Sequence, residues 1–286
     1  MQPPSARFEI VTVKTGVPSV RSLEFGETFH PVVGPMVEAE ALHVRQQRLV
    51  ERAETTRGPF VIWDVGLGAA ANAIAVLNAF ADRAELEVEL HSFDQSTEPL
   101  EFALSHAAEL GYMVPHSGRV AGLLAAGTAQ FSGVRWQFHQ GHFPDLAQPG
   151  RFPAPHAILY DPYSPTANPG LWTLEQFSAV HACLSPSAPC LLSNYTRSTA
   201  VRVTLLLAGF YVGRGAATGE KDETTIAANA PELLSAPLEP AWLKRVRSST
   251  RSAPLRIHGV PGPIGEPDWE RLLAHPQFAE NAHRPA

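Results

Sequence analysis

The stretch "FVIWDVGLGAAAN" (residues 60–72) begins with four apolar residues, turns on Asp64, Gly66 and Gly68, and then fills with alanine. A short apolar run bounded by glycines reads as a buried strand, and "AAANAIAVLNAFADR" (69–83) behind it reads as a helix. A strand that passes into a helix through glycines is the opening unit of an α/β fold. The rhythm repeats outward from it. "LEVELHSFD" (86–94) alternates and ends on an acid, and "PLEFALSHAAEL" (99–110) is helical. A glycine-punctuated insertion (111–133) precedes the strands "VRWQFHQG" (134–141) and "HAILYDP" (156–162). "TLEQFSAVHACL" (173–184) is a helix with Thr173 and Gln176 at capping-box spacing. "PCLLSNYT" (189–196) is a strand, "TAVRVTLLLAGF" (199–210) a helix, and "FYVGRG" (210–215) and "ETTIAAN" (223–229) are the last strands. Strands alternating with helices of ten to fifteen residues predict a doubly wound, mostly parallel sheet.

Before residue 60 the pattern differs. "RFEIVTV" (7–13) and "SVRSLEF" (19–25) flank a turn and predict a β-hairpin, and residues 34–53 predict one helix with apolar positions at 37, 41, 42, 44 and 49–50. The expected division is an N-terminal hairpin-and-helix extension (1–58), a ligand-binding core (59–230) and a basic, proline-rich tail (231–286) with one helical turn around "AWLKRVR". The 286 residues are 44% hydrophobic and 17% charged, enough apolar content for a substantial core. No apolar run approaches the roughly 18 residues that span a bilayer, and "MQPPSARFEI" has no signal-peptide pattern. Cys183 and Cys190 form no CxxC pair, which argues against a disulfide framework or a zinc site and fits a reducing cytoplasm. Both cysteines read as small core residues. The formal charge of −6 disfavours a surface coated in nucleic acid but leaves room for a local basic face.

In open α/β sheets ligands bind beyond the carboxyl ends of the strands, where strand order reverses. After the first core strand come Asp64, Gly66 and Gly68, where glycines admit a ligand to the backbone and a helix N-terminus offers free N–H groups. The same residues also fit a generic tight turn. After the second comes Asp94, placed either to accept from a ribose diol or to cap the next helix. After the third comes His142, and after the fourth "DPYSPTANPGLW" (161–172). There is no Gly-Lys-Ser/Thr phosphate loop and no Gly-x-Ser-x-Gly elbow, so phosphoryl transfer and α/β-hydrolase chemistry are disfavoured. An Asp followed by a rigid Pro and an aromatic suits methyl transfer to nitrogen, an in-line displacement that depends on positioning. Asp161 orients or deprotonates the amine, Pro162 stiffens the turn and Tyr163 packs on a planar base. The plainer reading of Asp161 is a turn-forming Asp before Pro. Trp172 reads as a packing anchor for the helix it begins.

Taken together, these motifs resemble the methyltransferase part of the MnmC family, whose members methylate 5-aminomethyl-2-thiouridine at the tRNA wobble position, and its stand-alone MnmD-type relatives. "GETFHPVVGPMVEAEALHV" (26–44) is similar to the family's N-terminal segment, with Glu27, His30, Gly34 and Glu38 in place. "DVGLGAAAN" resembles its glycine-rich loop, with Asn72 matching, and Asp94 matches the acidic ribose ligand. "DPYSPTANPGLW" resembles the family's Asp-x-Phe-x-Pro-x-x-Asn-Pro-x-x-Trp signature, the most specific part of a likeness that spans roughly residues 20–255. "NYTRSTAVRVTLLLAGF", "GEKDE" and "AWLKRVRSSTRSAP" continue it. The resemblance implies a seven-stranded, Rossmann-like class I methyltransferase sheet and S-adenosylmethionine as cofactor. Asp64, Gly66, Gly68, Asn72, Asp94 and His142 are then the cofactor ligands. Asp161 and Tyr163 are the catalytic pair, and Glu27, His30, Asn168, Arg197 and Lys221 meet the substrate. His30 reads equally as a core or capping histidine. Two departures stand out: Gly141-His142 replaces the family's Gly-Asp, and the glycine loop is rich in alanine.

The expected function is an S-adenosylmethionine-dependent N-methyltransferase acting on a modified wobble uridine of tRNA, in the cytoplasm, without metal, flavin or membrane. A methyltransferase of another amine, small-molecule or protein, and a non-catalytic tRNA- or nucleotide-binding relative are the alternatives. Arg197, Arg202, Arg214, Lys244, Arg245, Arg247, Arg251 and Arg256 are the candidate RNA contacts, or simply a solvated surface.

Overall fold

The computed structural model describes residues 7–219 and 221–279. The ends of the first and last expected segments, and Glu220 of "GEKDE", lie outside the described residues. Three short strands, β1 (Phe8–Thr12), β2 (Pro18–Ser22) and β3 (Glu27–Thr28), form an antiparallel sheet with Ile10 opposite Val20 and Arg21 opposite Thr28. The expected hairpin therefore gains a third strand.

The predicted helix over 34–53 is instead broken into three. α1 (Pro35–Ala39) runs into a π-helical turn (Glu40–Arg45), and α2 (Leu49–Thr55) restarts after Arg48, whose φ is +52°. Of the expected apolar positions Leu42, Val44 and Leu49 are buried, but Val37 is 54% exposed, and Glu38, His43 and Gln47 are buried as well. Polar side chains five residues apart share an inward face only if the helix widens by a residue, which the π turn supplies.

The main sheet has eight strands in the order β10-β11-β9-β8-β4-β5-β7-β6. The central β4 (Phe60–Val65) is buried at every residue. It sends Phe60 and Ile62 into one core layer, with Ile74 and Leu77 of α3 (Ala71–Ala79) and Leu100 of α4 (Glu98–Ser105). Val61, Trp63 and Val65 enter the other, with Phe177 of α8 (Leu174–Ala182) and Val201 and Leu205 of α9 (Thr199–Leu207). That period-two split, with helices on both faces, makes the fold doubly wound. β5 (Val88–Asp94) and β8 (Ala157–Tyr160) flank β4, followed by β7 (Val134–Gln140) and β9 (Leu191–Asn194); all five run parallel. β10 (Tyr211–Gly215) and β11 (Thr224–Ala228) close one edge as an antiparallel pair.

The eighth strand is the departure from the expected seven. The insertion after α5 (Ala107–Leu110) folds into α6 (Ser117–Ala126) and β6 (Thr128–Phe131), which pairs antiparallel with β7 at the other edge. Beyond α7 (Phe143–Leu146) the capped helix appears as expected, Thr173 Oγ1 accepting from the Gln176 amide at 3.2 Å. Residues read as a loose tail are folded onto the core. α10 (Trp242–Ser248), α11 (Glu266–Leu273) and α12 (Pro276–Ala279) place Val246, Leu272 and Phe278 in the second layer. Gln277 bonds both backbone groups of Val212. The chain leaves β4 toward β5 on one side and returns to β8 on the other, so the crevice beyond these strands is where a ligand is expected.

Candidate active site

A cavity of about 510 Å³ occupies that crevice, roofed by the N-terminal sheet. Its floor is the glycine turn after β4. Gly66 has φ +90°, and a Cβ there would lie 2.8 Å from the Asp161 carbonyl oxygen and 2.9 Å from Pro162 Cα. The β4 and β8 ends thus approach as closely as backbone allows, which only glycine permits. The Gly66 N–H donates to the Phe93 carbonyl at 3.0 Å, binding the turn to β5. Gly68, with φ +50°, would meet the Phe29 ring at 3.3 Å if it carried a Cβ.

Asp94, at the end of β5, accepts from the Gly68 N–H at 3.0 Å on one carboxylate oxygen and from the Ser96 N–H at 3.3 Å on the other. Burial raises its pKa, and the backbone donors from Gly68, Ser96 and Gln95 oppose that rise. Asn72, in the first turn of α3, donates from Nδ2 to Asp161 Oδ2 at 2.9 Å. Its own Oδ1 is buried with no partner among the described residues. A glycine cradle, a carboxylate at the second strand end and an orphaned amide oxygen suit an adenosyl amino acid. These residues fit S-adenosylmethionine.

Asp161 adjoins this cradle, its backbone against Gly66 and its side chain bonded to Asn72. Its side chain is 13% exposed, and His30 Nε2 and His43 Nε2 lie 3.7 and 4.0 Å from Oδ2. Burial pushes its pKa up to about 6; His30, the Asn72 bond and Lys221 pull it down, and Glu38 pushes it further up. Behind it, His30 Nδ1 lies 4.0 Å from Glu38 Oε1, with His30 itself at φ +48°. A nonglycine residue held in that region is a local strain that the packing around it maintains.

The rest of "DPYSPTANPGLW" is braced from three sides. Glu27 on β3 accepts from the Ser164 N–H at 3.0 Å and from its hydroxyl. Trp172, fully buried, donates to the Tyr163 carbonyl at 2.8 Å, the anchor role expected of it. Tyr195 donates to the Pro162 carbonyl at 3.1 Å, and Lys221 Nζ reaches the Tyr195 carbonyl at 3.0 Å. The Tyr163 ring stacks on Phe25 at 4.2 Å and tilts against Phe29 at 5.6 Å, so its outward-facing partner is already an aromatic of the N-terminal sheet.

The cavity therefore gathers Gly66, Gly68, Asn72, Asp94, Asp161 and Tyr163, together with Glu27, His30, Asn168 and Lys221. Three expected residues are not in its wall. Asp64 is buried beneath it, accepting from Ser92 Oγ at 2.7 Å while Trp136 Nε1 donates to that hydroxyl at 2.9 Å. Burial first, and the charges of Asp161 and Asp94 after it, push its pKa up to about 8. His142 is surface-exposed and faces Asp145 at 3.5 Å; only its neighbours Gly141 and Phe143 line the cavity. Arg197 is exposed outside it. Among the candidate RNA contacts, Arg202 is 1% exposed and bonds Glu223, Thr224 and Thr225, so it is a structural group. Arg256 is held bidentate by Asp268, and Arg247 pairs with Glu266. Cys183 and Cys190 are buried free thiols, as expected. Sequence reasoning missed Phe25, His43, Gln47 and Ser193. The available signal was polar residues set into otherwise apolar runs, at 43 in the broken helix and at 193 in the buried β9; Gln47, inside the polar run Arg45-Gln46-Gln47-Arg48, carried no such signal.

A family of S-adenosyl-L-methionine-dependent methyltransferases matches residues 151–230, which include Asp161 and the loop after it. The chain is 28% identical over 236 residues to the tRNA 5-methylaminomethyl-2-thiouridine biosynthesis bifunctional protein MnmC of Methylibium petroleiphilum, covering 77% of this chain and 34% of that protein. It is 28% identical over 233 residues to the protein of the same name from Caulobacter vibrioides, covering 77% and 38%. The chain thus spans about a third of the length of these curated relatives. Its fold is that of the crystal structure of MNMC2 from Aquifex aeolicus, at a TM-score of 0.68 and 23% identity over 93% of this chain and 84% of that one. With the glycine cradle, Asp94 and Asp161 arranged around one cavity, the chain is an S-adenosylmethionine-dependent methyltransferase similar to MnmC.

Proposed function

We propose that this methyltransferase acts on the aminomethyl group of a modified wobble uridine in tRNA, in the cytoplasm. The observation that carries the reading is Asp161: a carboxyl group in the cavity wall beside the glycine cradle, with its pKa pushed up to about 6. When bound, S-adenosylmethionine supplies an electrophilic methyl group. Asp94 and the Gly68 backbone are the groups that would hold its ribose, and Asn72 and the Gly66 turn those nearest its amino-acid end.

The remaining chemistry belongs to the protein. An alkylamine with a pKa near ~10 is neutral in only about one molecule in a thousand at pH 7. Its nitrogen is a nucleophile only after losing a proton, and Asp161 is the base within the cavity that takes it. A carboxylate whose pKa lies nearer neutrality is a stronger base than an ordinary one and still ionised at pH 7. Tyr163, Phe25 and Phe29 form the aromatic wall against which a planar base packs. Glu27, by bracing Ser164, fixes the loop that carries Asp161 and Asn168.

The test is methyl transfer from radiolabelled S-adenosylmethionine to tRNA bearing 5-aminomethyl-2-thiouridine, set beside the same tRNA without the aminomethyl group and free alkylamines. Label in the first tRNA alone supports the reading. Label in the free amines alone replaces it with a small-molecule methyltransferase.

A further inference from the structure

Behind Asp161, on the side away from the cavity, lies a polar chain that none of the proposed steps uses. Gln47 donates from Nε2 to the Ile158 carbonyl at 3.0 Å and to Ser193 Oγ at 2.6 Å. Ser193 Oγ in turn lies 2.8 Å from Nδ1 of His43. His43 is fully buried, and its Nε2 has no hydrogen-bond partner among the described residues. That nitrogen faces Asp161 Oδ2 at 4.0 Å.

The direction of each proton follows from the acceptors. A backbone carbonyl can only accept, so Ile158 fixes which end of the Gln47 amide is the NH2 group. Ser193 Oγ accepts from Gln47, and among the described residues His43 Nδ1 is the one acceptor within reach of its proton, so the arrangement that satisfies the hydroxyl has Ser193 donating to Nδ1. A ring that accepts at Nδ1 carries its hydrogen on Nε2. Burial, with the charge of His30 adding to it, pulls the His43 pKa down to about 3, so the ring is neutral throughout the working range.

We propose that His43 is a positioning residue for Asp161: the Gln47–Ser193 chain holds its ring as the Nε2–H tautomer, and that N–H aims a fixed, uncharged donor at Oδ2. Asn72 bonds the same oxygen. No hydrogen bond among the described residues reaches Oδ1, which leaves it the oxygen free to take a proton. Resting on the amine-methylation reading, this assigns the base atom. The proton leaves the ammonium nitrogen and adds to Oδ1, and the electron pair of the broken N–H bond becomes the nitrogen lone pair. The Asn72 bond on Oδ2, with the His43 N–H pointed at the same oxygen from 4.0 Å, disfavours a turn of the carboxylate that would exchange its two oxygens. A neutral donor does this without a cation beside the substrate ammonium, which a charged histidine would repel. The other titratable groups that interact with Asp161 are His30 from the β3–α1 connection, Glu38 from α1, Asp64 within β4, Tyr195 just past β9 and Lys221 from the β10–β11 connection.

Two measurements on the full chain without substrate test this. Long-range proton–nitrogen spectra of histidine-labelled protein distinguish the tautomers: His43 is expected as Nε2–H from pH 5 to 9, and Ser193→Ala is expected to lose that preference. A carbon-13 titration of Asp161 is expected to move up by about half a unit to one unit in His43→Phe and to return in His43→Gln, whose amide restores a donor near the Nε2 position. With the amine substrate, His43→Phe lowers kcat about tenfold and leaves the affinity for S-adenosylmethionine within about twofold. An Nδ1–H tautomer in the wild-type chain, or an Asp161 titration unmoved in His43→Phe, overturns the assignment. Both readouts stand even if no tRNA is methylated. If His43→Phe does not fold, the wild-type and Ser193→Ala tautomers decide alone.

Discussion

Asp161 joins a pKa raised by burial to a place in the cavity wall, and its role is open to measurement. Asp161→Asn keeps the hydrogen-bonding shape but cannot take a proton. It is expected to lower kcat by about 10²-fold or more while S-adenosylmethionine affinity, read by calorimetry, stays near that of the wild type. With Asp161 as the proposed base, kcat is expected to fall as pH drops through its pKa. The limb is expected at or below the free-protein value of about 6, because a sulfonium beside the carboxylate favours its ionised form. Asp64 makes the matching statement about stability. Its folded pKa of about 8 lies above the ordinary carboxyl value, so the folded chain holds this proton where the unfolded chain has lost it. Stability from this group is full below about pH 4 and is lost as pH rises toward 8. Urea midpoints at pH 5 and pH 8 should therefore fall more for the wild type than for Asp64→Asn. The sequence marked Asp64 and Asp161 alike, as acids at strand ends. Their difference is a matter of depth: Asp64 lies within β4 and bonds Ser92, whereas Asp161 lies past the end of β8 and opens into the cavity.

The glycine turn and the broken helix set the site's geometry. Gly66→Ala puts a Cβ against the Asp161 and Pro162 backbone in a region of φ unfavourable to alanine, and neither segment can retreat from a sheet interior. A loss of at least about 2 kcal/mol in urea unfolding is expected, with S-adenosylmethionine binding lost as well. Gly68→Ala meets only the edge of the Phe29 side chain at 3.3 Å and should be distinctly milder. That ordering was partly legible, since a glycine between a buried strand and a helix signals close approach, but which glycine touches backbone required the returning β8. The 34–53 segment was legible as helical and only partly legible in phase: Leu42, Val44 and Leu49 point inward as expected, and Val37 does not. Periodicity counts apolar residues, and here the inward face carries Glu38, His43 and Gln47, whose burial depends on Ser193 and Asp161 far along the chain.

Across the whole molecule, charge divides into structural and free groups. Arg202→Ala removes a buried guanidinium from Glu223, Thr224 and Thr225, and a loss of about 3 kcal/mol in chemical unfolding is expected. Arg197 is exposed, so Arg197→Ala should leave the unfolding midpoint unchanged. If it holds a tRNA phosphate, the slope of log affinity against log salt flattens by about 1. The sequence by itself determined the doubly wound sheet, the strand ends that carry chemistry and the loop that bears Asp161. These follow from local period, glycine and proline, which act within a few residues. Tertiary structure alone decided that Asp64 and His142 stay out of the cavity and that the insertion adds an edge strand. It also decided that the tail seals the core and that His43 stands behind Asp161. Each of these depends on which distant surfaces bury one another, and burial is a property of the folded chain.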